Sequence, residues 1–412
     1  MKHQFKPTTI YLFITIAGSI FFPMIFVAYS LYQVTVAGLT ALQLVLIGTA
    51  LEVSAFVFEI PTGIIADVHS RKLSVIIGYI LMGAGFLVMG FFPTFVPILI
   101  AQLIWGLGYT FTSGAEEAWI SDEIGEENAN QLFLRSTRIG LYTSLVGMAL
   151  AVLVGDENPA MPILWGGLGI AAIGISLIFI MPETGFKPTP REDRNTWQQM
   201  AFTFKEGIGA VHARPRLITI LSIGFIYGLY SEGFDRLWVK HIVDTFDFPG
   251  IFASSQVAFF SALRAVSTLA AIIAMGAVEK RLDTSQPYTI GRAMLAVTGL
   301  ISISLIGFAL SPYLGVALII YLLIYVLRTI SNPLYTAWVN QNLDSDTRAT
   351  VLSISGQVDA IGQIAGGPGV GLIAKLVSVV AAIITSGALL SPALLLIRRA
   401  NRQSETKIQN EN

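Results

Sequence analysis

Glu232, Asp235 and Arg236 share one predominantly apolar run, and their types and spacing define the chemistry the chain can do. Glu232 and Arg236 stand at i and i+4 with the acid N-terminal, the favourable order for an ion pair on one helix face. Asp235 projects beside them. Two acids sharing one base leave one carboxylate incompletely paired. In a partly dry cavity such a group can take up and release a proton; equally, it can close a structural network with the spare acid solvated. An ionisable side chain at mid-membrane costs about 3 kcal/mol or more, so it turns inward, finds a partner or serves a function.

Among the other charges in apolar runs, those to explain are Glu52, Glu116, Glu117, Arg264, Arg328 and Asp359. Arg328 stands beside Tyr325 and Tyr321, with Ser331, Asn332 and Tyr335 continuing that face. Its expected partner is Asp359 on the next run; otherwise it holds an anionic substrate. Trp105, Tyr109, Thr112 and Glu116 recur at near-helical spacing, an aromatic wall with an acid in line that serves packing or binding. Glu52 lies one heptad before Glu59, and with Asp359 it is a candidate for an interhelical gate. Arg264 satisfies one of these acids or touches substrate. The proton-coupling candidates are therefore Glu232, Asp235, Asp359 and Glu52. The substrate-cavity candidates are Trp105, Tyr109, Glu116, Arg236, Tyr325 and Arg328.

The elements that position these groups must cross lipid. Hydrophobic residues make up 54% of the chain and charged residues 12%, against roughly 25% charged in soluble domains. A spanning helix needs about 20 mostly apolar residues. Twelve runs qualify, at 9–32, 40–65, 73–92, 96–120, 138–154, 163–181, 217–239, 255–278, 290–310, 313–339, 349–373 and 376–397, the fifth beginning earlier, near Asn130. In this arrangement 20 of the 25 Lys and Arg fall on one side, while the loop after the fifth run carries Asp156 and Glu157. Cations accumulate on the cytoplasmic face, which predicts that both termini are cytoplasmic in a multi-pass protein of the cell membrane.

Several chemistries are excluded. The chain has no Cys, hence no disulfide and no thiolate nucleophile or metal ligand. His3, His69, His212 and His241 are scattered without ligand spacing. No Gly-x-x-x-x-Gly-Lys-Ser/Thr loop is present, so ATP is not the expected energy source. Ion gradients remain, with no cofactor, no metal and no enzymatic site. The expected partners are a small-molecule substrate and the bilayer, with no nucleic acid, and the chain is expected to be a monomer.

The halves repeat one another weakly. Ala118-Trp119-Ile120 closes the fourth run and Ala337-Trp338-Val339 the tenth, each followed by an acidic loop and a basic residue, Arg135 and Arg348. Between the halves a charged stretch carries Trp197, Met200, Ala201 and Phe204 at helical spacing, either an amphipathic surface helix or a flexible linker. The expected organisation is a first bundle at 1–182, a linker at 183–214 and a second bundle at 215–412. Gly356, Gly362, Gly366, Gly367, Pro368, Gly369 and Gly371 make the eleventh run a place of close helix approach and a Pro kink.

Between the second and third runs stands Gly63-Ile64-Ile65-Ala66-Asp67-Val68-His69-Ser70-Arg71-Lys72. An acid followed by two bases in so short a turn can clamp one helix end to another, and Gly63 lets neighbouring backbones approach. The stretch resembles the signature Gly-x-Leu-Ala-Asp-Arg-x-Gly-Arg-Lys of the major facilitator superfamily. Gly63, Ala66, Asp67, Arg71 and Lys72 match, while Val68 and Ser70 depart. The resemblance implies an all-α fold of twelve helices in two pseudo-symmetric six-helix bundles, rocking about a cavity lined by helices one, four, seven and ten. It implies a clamp of Gly63, Asp67, Arg71, Lys72 and Asp122, closing on the start of the eleventh helix near Arg348 and Ala349. The aromatic cavity and the lack of a rich polar sugar-binding pattern point to the drug-efflux branch, with proton-coupled export of small amphipathic molecules. The Gly-Pro motif of that superfamily's antiporters belongs to the fifth helix, whereas here the feature lies in the eleventh. The alternative is uptake of a small organic anion by a symporter or facilitator, with Arg328 as its ligand.

Overall fold

The computed structural model describes residues 5–188, 215–282, 287–341 and 345–411. Among them there is no strand. In hydrocarbon every backbone amide must be satisfied within its own segment, and the apolar runs meet that demand as helices. In the first half these are α1 (Pro7–Thr35), α2 (Ala41–Val68), α3 (Arg71–Phe91), α4 (Phe95–Thr112), α5 (Ala115–Ile124), α6 (Glu126–Gly155) and α7 (Ala160–Ile180). The second half holds α8 (Pro215–Thr245), the single turn α9 (Gly250–Ala253), α10 (Gln256–Arg281), α11 (Pro287–Ala309), α12 (Leu314–Gln341), α13 (Ser345–Leu376) and α14 (Val379–Glu411). Among the described residues eleven spans are long and apolar enough to cross a membrane, with α4 and α5 together forming one of them, and the 32-residue α13 is the twelfth long segment. All twelve expected runs are therefore helical, and the fifth begins at Glu126.

The fourth run is not one helix. Gly114 adopts φ 71°, ψ −25°, a left-handed conformation that ends α4 and lets α5 start on a new course. Elsewhere prolines are carried inside long helices, Pro61 in α2 and Pro368 in α13 among them.

The residues fall into two compact units, neither of them contiguous in sequence. The first comprises residues 1–39, 50–200 and 248–262; the second comprises 40–49, 201–247 and 263–412. Within the first, α3 packs on α7 and α4, and α1 on α6 and α7. The main body of α2 joins α4 through two side-chain bonds to backbone: Ser54 Oγ donates to the Leu103 carbonyl (2.9 Å) and Thr62 Oγ1 to the Thr110 carbonyl (3.0 Å). Within the second unit, α8 packs on α13 and α14, and α11 on α12 and α14.

The α8–α13 contact is built on small residues. A Cβ at Gly362 or Gly366 would collide with the backbone carbonyl of Phe225 or Leu229, and one at Gly228 with that of Asp359. These positions fix the register that brings Asp359 to the acidic face of α8. The expected surface helix at Trp197–Phe204 lies outside the described residues.

Candidate functional site

In the first unit Arg71, at the N-terminus of α3, is the hub. Its Nη1 donates to the Ala118 carbonyl (2.8 Å) and to the Asp122 carboxylate, tying α3 to α5. Asp67, on the last turn of α2, is farther away: 3.7 Å from Arg71 Nη2 and 57% exposed. Lys72 is held by its backbone, whose N–H donates to Glu183 Oε1 (2.9 Å), while Ser70 Oγ donates to Glu183 Oε2 (2.7 Å). Ser70 also caps α3 by accepting from the Leu73 N–H (2.9 Å). Trp119 Nε1 donates to the Pro182 carbonyl (2.7 Å), fastening the strap after α7 to α5. Gly63 departs from expectation. A Cβ there would meet no atom within 4 Å, because the close contacts of α2 with α4 run through Ser54 and Thr62. The expected engagement with Arg348 and Ala349 concerns side chains outside the described residues.

The expected aromatic wall of the fourth run is divided. Trp105 belongs to a ring cluster with Phe26, Tyr29 and Phe86 at centroid distances of 5.4–6.4 Å. Tyr109 is half exposed. Glu116 lies beyond the break at Gly114 and accepts from Tyr79 Oη (3.0 Å), so it is not in line with the two rings. The helical count fails because Gly114 resets the rotation. Glu59 accepts from Ser113 Oγ (3.0 Å) at that same break. Glu52 is partly buried on α2 and already engaged.

The second unit gathers the remaining candidates. Glu232 is 1% exposed, and its Oε1 accepts from Arg236 Nε (2.8 Å), the i,i+4 pair expected from spacing. Asp235 is not the spare acid of that pair. It turns to α12 and takes Arg328 in a two-pronged bond, Nη1 to Oδ1 and Nη2 to Oδ2, the second at 2.8 Å. The expected Arg328–Asp359 partnership is thereby corrected: both Nη groups of Arg328 are occupied by Asp235, and Asp359 instead accepts from Gln363 Nε2 (2.8 Å). The Arg328 guanidinium also lies over the Tyr230 and Phe234 rings, at 5.8 and 5.9 Å.

Two clefts flank the Asp235–Arg328 bridge and share it as a wall. One, of about 250 Å³, is lined by Trp238, Arg264, Tyr321, Tyr325 and Thr329 among others. The other, of about 240 Å³, is lined by Tyr227, Tyr230, Ser231, Ser331, Asp359 and Gln363. Asn332 borders both. The first is aromatic, with the Trp238 and Tyr321 rings stacked at 4.3 Å and 26° and Arg264 lying 4.8 Å over Tyr325. The second is polar. Such a pair of clefts, one amphipathic and one acidic, can hold a small molecule beside a carboxylate able to change its charge.

Trp238, Tyr227, Tyr230 and Gln363 were missed by sequence reasoning. Their signal is present in the spacing: 227, 230, 234 and 238 fall on one stripe of α8, and Gln363 follows Asp359 by one turn.

The sequence pattern of the Major Facilitator Superfamily matches residues 8–367. The chain belongs to the Major Facilitator Superfamily. It is similar to the uncharacterized MFS-type transporter YxaM of Bacillus subtilis (strain 168), 23% identical over 335 residues that cover 81% of this chain and 80% of that one. A shorter similarity, 29% over 129 residues, covers 30% of this chain and 31% of the MFS-type transporter MJ1317 of Methanocaldococcus jannaschii. Among solved structures, the nucleoside transporter NupG aligns with a TM-score of 0.76 at 13% identity, covering 96% of this chain and 99% of that one. The human organic anion transporter MFSD10 aligns with a TM-score of 0.62 at 17% identity, covering 95% and 100%. Likeness at these identities establishes the fold alone. As a member of the Major Facilitator Superfamily the chain is a multi-pass membrane transporter, which is not an enzyme class.

Proposed function

We propose that this Major Facilitator Superfamily member is a proton-coupled exporter of small amphipathic molecules, driven by the proton gradient without a cofactor, acting as a monomer in the cell membrane with both termini cytoplasmic. The observation that carries this reading is the pair of clefts meeting at Asp235–Arg328. An aromatic cleft suited to an amphipathic molecule adjoins a polar one in which Asp359 makes no salt bridge among the described residues: it accepts from Gln363 and faces Arg328 only across the cleft. An intramembrane carboxylate that no arginine grips directly can change its protonation state at less cost than one already locked in an ion pair. Asp359 is thus the principal proton carrier, while Asp235 and Glu232, each already on an arginine, hold the local charge balance. The links from Arg71 to Asp122 and Asp67 serve as the conformational clamp.

The test uses everted membrane vesicles and a panel of amphipathic compounds. Acidifying the vesicle lumen should drive substrate accumulation there, and dissipating the gradient should abolish it. Asp359→Asn should remove the gradient-driven component while leaving energy-independent exchange. Flow in the same direction as protons, or unchanged gradient-driven flux in Asp359→Asn, would refute the assignment.

A further inference from the structure

We infer that the cleft lined by α8, α10 and α12 takes a one- or two-ring aromatic organic anion, its acid group on Arg264 and its ring against the aromatic border of Trp238, Tyr321 and Tyr325. The inference rests on the transporter reading above and narrows its substrate class.

Arg264 stands in the third turn of α10, inside a membrane-spanning segment, and its guanidinium lies 4.8 Å over the Tyr325 ring. The acids nearest to hand are already committed. Asp235 holds both Nη groups of Arg328, and Glu232 holds Arg236. Arg264 has no carboxylate partner among the described residues. With Asp235 and Arg328 cancelling, the fixed charges of this cleft leave one uncompensated cation. A cationic ligand would be repelled there, a neutral one would leave the guanidinium without an ionic partner, and an anion completes it. Arg328 cannot play that part, because Asp235 occupies its planar fork. The ring component follows from the lining: Trp238 and Tyr321, stacked on each other at 4.3 Å and 26°, border the cleft together with Tyr325, an aromatic edge for one further ring. The cleft holds about 250 Å³. Sites for drug-sized molecules run from about 300 Å³ upward, so this one suits a single or fused ring bearing one acid group.

The test is binding to the full chain in detergent, read as ligand-induced thermal stabilisation, with 1-naphthoate, 1-naphthamide and 1-naphthylmethylamine as probes. A charge-assisted bond to Arg264 should make naphthoate bind about ten-fold or more tighter than the amide. R264Q should shrink that preference to less than about three-fold, R264K should keep most of it as charge without a planar fork, and W238A should weaken naphthoate. R292Q, which removes another arginine lying over a tyrosine ring, Tyr288, should leave the preference intact. Equal or better binding of the amide or amine, no binding of naphthoate, or an undiminished preference in R264Q each overturns the inference. Gradient-driven export of amines alone would sink the anion and keep the exporter. Naphthoate binding through Arg264 in a chain that moves nothing with the gradient would do the reverse.

Discussion

Asp235 and Arg328 meet from α8 and α12, and the consequence of separating them depends on how dry the bridge is. Their side chains are 40% and 28% exposed, between a surface pair and a buried one. Removing one partner should therefore cost about 1–3 kcal/mol, between surface values and the larger penalty of a stranded buried charge. Asp235→Asn should lower the melting temperature, and adding Arg328→Gln should recover most of the loss. A double variant no more stable than the worse single would show that the two do not act as a pair. Asp67 offers the contrary case. It is exposed and 3.7 Å from an arginine that Asp122 already holds, so Asp67→Asn should change stability by less than about 1 kcal/mol while slowing transport. Unaltered turnover would remove Asp67 from the clamp. The spacing of Glu232 and Arg236 made their pair legible in the sequence, because both sit on one helix with a known repeat. The Asp235–Arg328 bridge was not legible, because it depends on the register between two helices, which no spacing along one of them encodes.

At the scale of elements, the twelve apolar runs were readable because bilayer thickness sets a minimum length that few soluble segments reach. The break in the fourth was not, since a single glycine between two apolar stretches leaves hydropathy unchanged and only its φ reveals the turn. That difference makes a clean experiment. At Gly114 an added Cβ meets no atom within 4 Å, so replacement strains only the backbone. Gly114→Ala should cost about 1–2 kcal/mol from the left-handed conformation itself, and Gly114→Asn noticeably less. Equal stability of all three forms would mean that the α4–α5 junction relaxes at no cost. Gly366 is the steric counterpart, in an ordinary helical conformation but against the Leu229 carbonyl of α8. Gly366→Ala should cost about 1–3 kcal/mol through overpacking and should also displace Asp359 from its cleft. The glycine-rich pattern of α13 announced such closeness, although not which helix would be the neighbour.

For the whole molecule, the distribution of cations makes a prediction that the chain's own composition lets one test directly. Of 25 Lys and Arg, 20 lie on one side of a twelve-span arrangement, and only the cytoplasmic face attracts such an excess. The chain contains no cysteine, so a single introduced thiol reports its own location without background. Glu157, in the loop between α6 and α7, and His69, in the turn between α2 and α3, are both exposed and belong to opposite sides of that arrangement. Glu157→Cys should react with a membrane-impermeant maleimide in intact cells, and His69→Cys only after the cells are opened. Reversed labelling would invert the topology; labelling of both in intact cells would break the alternation of spans on which it rests. The outcome also bears on direction of transport. With His69 inside, the Arg71–Asp122 link stands on the cytoplasmic face, where the exporter proposed above would admit its substrate, and on that proposal loosening the link should act on loading more than on release. Asp122→Asn should then slow export from the cytoplasmic side more than it slows counterflow from the opposite side, a comparison that one vesicle preparation in its two orientations can make.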